Sequence, residues 1–223
     1  MKQYFITGTD TEVGKTYVTC HLLKAAGSCQ KTSLGYKPIS AGCEKVGNEW
    51  VNEDASEIQQ ASSIKLPIST INPIAFLPPI APHIAAKEAG VTLTSEAVVE
   101  GLVRLQQETP DLLLMEGAGG WRLPLTDTLF LSDVVSELKM DVILVVGMKL
   151  GCLNHALLTA QAIQNDGLNI VGWVANDITG SMSRYDDNLA TLKNAMPAPL
   201  LLEVPFSSAP NAEALQTAIQ KLC

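Results

Sequence analysis

The sequence predicts an α/β fold with a mostly parallel central sheet flanked by helices. Three observations carry that expectation: strand-like and helix-like segments alternate, two strand-like segments are unbroken apolar runs, and the first strand passes through a glycine-containing loop into a helix. Runs such as Leu112–Leu113–Leu114–Met115 and Val142–Ile143–Leu144–Val145–Val146 fit strands covered on both faces.

In chain order, Tyr4–Phe5–Ile6–Thr7 is short, aromatic and β-branched, and it reads as the first strand. It runs into Gly8–Thr9–Asp10–Thr11, with helix-compatible residues from about Lys15. Thr32 to Tyr36 reads as the second strand, followed by turn-prone residues around Pro38 and Gly42 and a short helix from about Asp54 to Ser62. The chargeless stretch Leu66 to Ala86 has the length of a membrane span, but Pro67, Pro73, Pro78, Pro79 and Pro82 break it. It reads instead as an irregular excursion packed against the body.

Thr94 to Gln107 places Ala97, Val98, Gly101, Leu102 and Leu105 at helical spacing, and Pro110 stops the helix before the apolar run at Leu112. After the run at Val142, residues Ala156, Leu157, Ala160, Ile163 and Gln164 mark another helix, and Ile170 to Ala175 another strand. Leu189 to Ala195 fits a helix end, Pro199 to Val204 a last strand, and Ala212 to Leu222 a terminal helix. With 223 residues and neither an internal repeat nor a biased tail, the chain reads as one ordered domain over residues 1–223.

Apolar residues make up 47% and charged residues 17%, which supports a core and excludes a disordered chain. The formal net charge of −8 argues against sequence-blind nucleic-acid binding and against adhesion to acidic membranes. Cys20, Cys29, Cys43, Cys152 and Cys223 are odd in number and form no C-x-x-C pair, and the chain opens on a strand rather than a signal peptide. They read as reduced thiols in the cytoplasm.

The strongest chemical signal is Gly8–Thr9–Asp10–Thr11–Glu12–Val13–Gly14–Lys15–Thr16 between strand and helix. It resembles a Walker A loop with five residues, not four, before Gly-Lys-Thr, so the fold expected is P-loop NTPase-like. Backbone N–H groups of such a loop converge on phosphate oxygens, and the helix start adds unpaired donors and a positive dipole. Lys15 would reach the β- and γ-phosphates, and the Thr16 hydroxyl would join a Mg²⁺ shell. Glu12 either orders the phosphate side or faces solvent.

Mg²⁺ selects hard oxygens. Glu116 should emerge at the carboxyl edge of the sheet beside the loop, and Asp54 either faces the same crevice or caps its own helix. Gly117–Ala118–Gly119–Gly120 permits close backbone approach to a ligand, but Arg122 breaks the dinucleotide G-x-G-x-x-G pattern. Lys37 lies just after the second strand, where an ammonium could neutralise charge between two anionic reactants, or it is an ordinary surface lysine. Lys149 precedes Gly151–Cys152–Leu153–Asn154–His155, whose helix-start amides could bind a carboxylate. His21, His83, His155 and Cys152 have no partner at a metal or triad spacing and read as structural.

Five segments together resemble the dethiobiotin synthase family along nearly the whole chain: the phosphate loop, Gly35–Tyr36–Lys37–Pro38, Glu116–Gly117–Ala118–Gly119–Gly120–Trp121, Gly151–Cys152–Leu153–Asn154–His155–Ala156, and Gly172–Trp173–Val174–Ala175–Asn176. The resemblance implies an ATP- and Mg²⁺-dependent ring closure. In that family 7,8-diaminononanoate and CO₂ (or bicarbonate) give a carbamate, ATP phosphorylates it, and the second amine closes the ureido ring, releasing ADP and phosphate.

By the same resemblance Lys15 and Lys37 are the catalytic pair, and Thr16, Asp54 and Glu116 surround Mg²⁺. The nucleotide would be bound by Thr11, Glu12, Val13, Gly14, Lys15, Thr16, Tyr17, Asp54, Glu116, Gly117, Ala118 and Gly119, with Asn176, Asp177, Pro205, Phe206 and Ser207 at the adenine. Ser40, Ala41, Gly151, Cys152, Leu153, Asn154 and Tyr185 are the substrate-contact candidates, the 151–154 group acting across a homodimer interface.

Two positions depart from the family pattern: Ala41 stands where a serine is common, with Ser40 beside it, and Asn188 stands where a substrate-contacting tyrosine is common, with Tyr185 one helical turn earlier. They bear on substrate identity, not on phosphoryl transfer. Two other readings use the same loop. A cobyrinate-diamide-synthase-like amidase or ligase would need a glutamine-hydrolysing module, and a partition-type nucleotide switch would carry a membrane tail or basic face; the sequence shows none of these.

Overall fold

The computed structural model describes residues 1–47 and 49–223. Strands β1 (Lys2–Gly8) and β2 (Ser33–Tyr36) are joined by helix α1 (Lys15–Ser28). Then come the short β3 (Ile39–Ser40), the antiparallel pair β4 (Glu44–Val46) and β5 (Glu49–Val51), and α2 (Glu53–Ala61). Next are α3 (Ile68–Ile71), β6 (Ile74–Ala75), α4 (Pro82–Glu88) and α5 (Ser95–Gln106). The second half alternates regularly: β7 (Leu112–Glu116), α6 (Leu131–Glu137), β8 (Asp141–Met148), α7 (Cys152–Asn165), β9 (Ile170–Asp177), α8 (Tyr185–Ala195), β10 (Leu200–Val204) and α9 (Ala212–Leu222).

Six strands form one parallel sheet in the order β10-β9-β8-β1-β7-β2. The two apolar runs become β7 and β8 on either side of β1, and Leu112 to Met115 and Val142 to Val146 are wholly buried, as strands between two helical layers must be. From β1 the chain crosses to the edge strand β2 and returns through β7, so connections diverge beside β1. Such a switch point opens a crevice at the carboxyl ends of the strands. Ile6 pairs with Glu116 and Gly8 with Val145, so the loop after β1 and the end of β7 are neighbours by register.

Helix α1 lays Val18, Leu22, Leu23 and Ala26 into the core and packs between α2 and α9. Helix α5 is capped by Thr94, whose hydroxyl accepts from Ala97 N. Its Gly101 is needed for closeness: a Cβ there would collide with the Tyr36 hydroxyl, which donates to Val98 O at 2.8 Å.

Two local expectations change. Asp54 does not cap α2; Asn52 does, its side-chain oxygen accepting from Ala55 N, which places Asp54 in the first turn. The stretch Leu66 to Ala86 is not wholly irregular, since it holds α3, β6 and most of α4. Its prolines prevent a long ladder, but buried backbone groups still need partners. Phe76 N donates to Ser40 O and Cys43 N to Phe76 O, each at 3.0 Å, pinning this stretch over the carboxyl edge of the sheet.

Candidate active site

The loop after β1 turns because Glu12 and Gly14 take left-handed conformations, at φ 59 and 83. At Gly14 two constraints coincide: the backbone favours glycine, and a Cβ would strike the side-chain amide of Asn176, which donates to Val13 O at 2.8 Å. No side chain caps α1, so its first N–H groups stay open to an anion.

Lys15 is buried and turns back to donate to Asp10 O at 3.0 Å. Burial pulls its ammonium down to about 8, against the attraction of Glu116. Asp10 accepts from Thr11 N at 2.8 Å, which holds its carboxyl below the usual range, and its other oxygen lies 3.4 Å from Lys149 Nζ.

Behind the loop stands a charge cluster in which Lys37 and Glu116 are buried and the Asp54 side chain is half exposed. Glu116, fully buried at the end of β7, accepts at Oε1 from Thr16 at 2.7 Å and from Lys37 Nζ at 2.6 Å. Lys37 Nζ also donates to Asp54 Oδ2 at 2.8 Å. Burial opposes the Lys37 charge, yet the facing Glu116 and Asp54 carboxylates outweigh it, so its pKa is raised. Burial likewise works against the Asp54 carboxylate, and Lys37 brings its pKa below the ordinary value.

Thr19, one turn after Thr16 on α1, lies 2.6 Å from Glu116 Oε2 and 2.9 Å from Lys15 O. Sequence reasoning passed over it, although its i+3 spacing from Thr16 puts both hydroxyls on one helix face. Asn72, also unforeseen, donates to Lys37 O at 2.7 Å and accepts from the Ser40 hydroxyl at 2.7 Å. Ser40 therefore lines the cleft while its proton is committed to Asn72.

A cleft of about 830 Å³ opens here. Thr11, Glu12, Gly14, Lys15, Thr16, Tyr17, Lys37, Ser40, Ala41, Asp54, Ala118 and Gly119 line it, and an apolar wall of Pro79 to Pro82 with Leu123 closes one side. A second cavity of about 450 Å³ shares Glu12, Gly14 and Tyr17 and continues to Asn176, Asp177 and Pro205 to Ser208. Tyr17 stands between the two, its hydroxyl donating to Ser208 O at 3.2 Å and its ring against His21.

Gly151, Cys152, Leu153 and Asn154 begin α7 and line neither cavity, nor does Tyr185 at the start of α8. Tyr185's hydroxyl is buried without a hydrogen-bond partner, and burial, then Glu203, pushes its pKa up. Cys152 is buried and His155 exposed, away from both cavities.

The donor set suits Mg²⁺. Among the described residues no cluster of three His, Cys, Asp or Glu forms a closed metal cage. Two carboxylates and a hydroxyl converge at the phosphate loop, and Mg²⁺ is commonly held by one or two carboxylates together with substrate phosphates.

A family model described as an AAA domain matches residues 2–214. An ATP-dependent dethiobiotin synthetase BioD of Alteromonas mediterranea is 65% identical over the whole of both chains. The protein of the same name from Aeromonas hydrophila is 50% identical, over 94% of this chain and 93% of its own. ATP-dependent dethiobiotin synthetase BioD 1 of Escherichia coli K12 is 48% identical, over 92% of this chain and 91% of its own. Among solved structures, the cell division protein MinD of Aquifex aeolicus aligns at a TM-score of 0.55 and 14% identity, covering 99% of this chain and 87% of its own. A ParA family ATPase of Chlorobium tepidum aligns at 0.55 and 13%, covering 99% and 90%. At such identities these two show the shared P-loop NTPase fold and nothing finer.

Proposed function

The chain belongs to the ATP-dependent dethiobiotin synthetase family, and on that premise we propose that it carboxylates 7,8-diaminononanoate with CO₂ and closes the ureido ring with ATP, as one catalytic unit over residues 1–223. The observation that carries this reading is the convergence of Lys15, Lys37, Thr16, Asp54 and Glu116 on one cleft beside the phosphate loop.

A carbamate and a triphosphate are both anions, so bringing a carbamate oxygen to the γ-phosphorus requires positive groups fixed in advance. Loop amides and the start of α1 hold the phosphates, Lys15 moves from Asp10 O to the β- and γ-oxygens, and Lys37 faces the carbamate. Thr16, Asp54 and Glu116 would hold Mg²⁺, which neutralises phosphate charge when bound. Oxygen attack on the γ-phosphorus gives a mixed anhydride and ADP. The second amine then attacks the carbonyl carbon, phosphate leaves, and proximity is the main requirement, so no protein nucleophile is needed. The wall Pro79 to Pro82 suits the hydrocarbon chain, and the second cavity suits the adenine.

We place the distal carboxylate of the substrate at the start of α7 of a second copy. Gly151 takes φ 95 and leaves that helix uncapped, as Gly14 does for α1. Leu150 beside it is 97% exposed, with Leu157 and Leu158 exposed farther along α7, as a homodimer face would be. The five cysteines are free thiols, which supports a cytoplasmic setting, and no described helix is long and apolar enough to cross a membrane.

The test mixes the purified chain with 7,8-diaminononanoate, bicarbonate and MgATP and follows dethiobiotin by mass spectrometry. Dethiobiotin forming in step with ADP is expected, and Lys37→Ala should lose turnover while still binding nucleotide. ADP release without ring product, at high enzyme, would overturn the substrate assignment.

A further inference from the structure

The carboxylates suited to a divalent ion already hold a cation supplied by the chain. Lys37 Nζ sits 2.8 Å from Asp54 Oδ2 and 2.6 Å from Glu116 Oε1, and Lys37 is 3% exposed. The Thr16 hydroxyl donates to that same Glu116 oxygen. An ion bonded directly to these oxygens, at about 2.1 Å, would lie within about 5 Å of the ammonium, beside a fully buried Glu116 that water screens little. Lys15 also faces the cluster, and Asp10, Glu12 and Glu57 are further acids at or beside the cleft.

We propose that Lys37 and the divalent ion are alternative occupants of the Asp54–Glu116 pair. In the free protein Lys37 answers one of the pair's two negative charges, and arrival of the metal with nucleotide releases the ammonium toward the cleft where the two anions meet. This rests on Thr16, Asp54 and Glu116 being the metal-holding set.

The stem of Lys37 is built for such an exchange. Its backbone is fixed on both sides, with Lys37 N donating to Ile71 O at 2.9 Å and Asn72 Nδ2 donating to Lys37 O at 2.7 Å. The exchange is therefore a rotation of a four-carbon side chain about a fixed anchor, with no loop movement. Lys37, Asp54 and the loop line one cavity together, which leaves the ammonium room to swing. It follows that a divalent ion without nucleotide must compete with a covalently tethered ammonium, and that Lys37 reaches the reactants only once the metal is in place.

The test is Mn²⁺ binding without nucleotide, read by electron paramagnetic resonance, in the wild type and in Lys37→Met, which keeps the volume and removes the charge. Lys37→Met should bind Mn²⁺ at least tenfold more tightly, and adding Glu116→Gln should abolish the gain. Equal or weaker binding by Lys37→Met would overturn the proposal. In wild-type protein with ¹⁵N-labelled lysine, the resonance of the buried ammonium should persist with ADP and chelator and shift with MgADP. A resonance indifferent to Mg²⁺ would overturn it even if Lys37→Met failed to fold. Neither measurement uses diaminononanoate or reads turnover, so failure here and failure of ring formation are separate results.

Discussion

Glu116 shows how one buried carboxylate is accommodated. It ends a strand with no exposed surface, so its charge must be answered from within, and it is, by the hydroxyl of Thr16 and the ammonium of Lys37, with the Thr19 hydroxyl beside its second oxygen. Lys15, Thr16 and Glu116 were legible because each follows a recognisable strand or loop. Thr19 and Asn72 were not, because their partners lie 97 and 35 residues away and neither belongs to a motif. Gly14 gives the sharpest prediction at this scale. Gly14→Ala must bear a left-handed φ, at about 1 kcal/mol or more, and a collision with the Asn176 amide. ADP affinity should fall at least tenfold while the far-ultraviolet dichroism is retained; calorimetric titration giving unchanged affinity would contradict it.

Helix α2 places its carboxylate through its cap. Asn52 accepts from Ala55 N and donates to Ala41 O at 3.2 Å, tying the helix start to the loop that lines the cleft, and Asp54 follows within the first turn. Local sequence offered Asp54 itself as the cap because Asp and Asn are near-equal there; only the turn geometry separates them. Asn52→Ala should destabilise the protein by about 1 kcal/mol in urea unfolding and weaken Mg²⁺-dependent turnover, since Asp54 loses its fixed start. The sequence reading missed the β4–β5 pair because three-residue exposed strands carry little apolar pattern, and α6 because one short helix after a long loop resembles a turn. The long alternating elements were read to within a few residues.

At the scale of the whole molecule, the parallel sheet was legible from two apolar runs, whereas the strand order was not, because many orders that keep those runs in the interior of the sheet bury them equally well. The order nonetheless creates the site by putting the end of β7 beside the phosphate loop. The core also predicts an alkaline limit. Burial pushes the Cys20 thiol up to about 12 and raises the phenols of Tyr36 and Tyr4, which donate to Val98 O and Leu222 O. The native state holds these protons after the unfolded chain has released them, while the opposite contribution of Lys15, whose pKa is lowered from 10.5 to about 8, is complete by about pH 10.5, so stability should fall as pH rises from about 10.5 through 12. Urea midpoints measured from about pH 10.5 to 12 check this, and a rising midpoint there would contradict it; Cys20 should also resist alkylation at pH 8 while exposed Cys223 reacts. All of these features serve a single chemical claim, that a carbamate oxygen attacks ATP in the cleft braced by Lys15 and Lys37. Ring closure started with ¹⁸O-labelled CO₂, quenched before the label exchanges with water, should transfer one labelled oxygen into inorganic phosphate for each ring formed, seen by mass spectrometry. Phosphate free of label, with dethiobiotin still produced, would contradict the account.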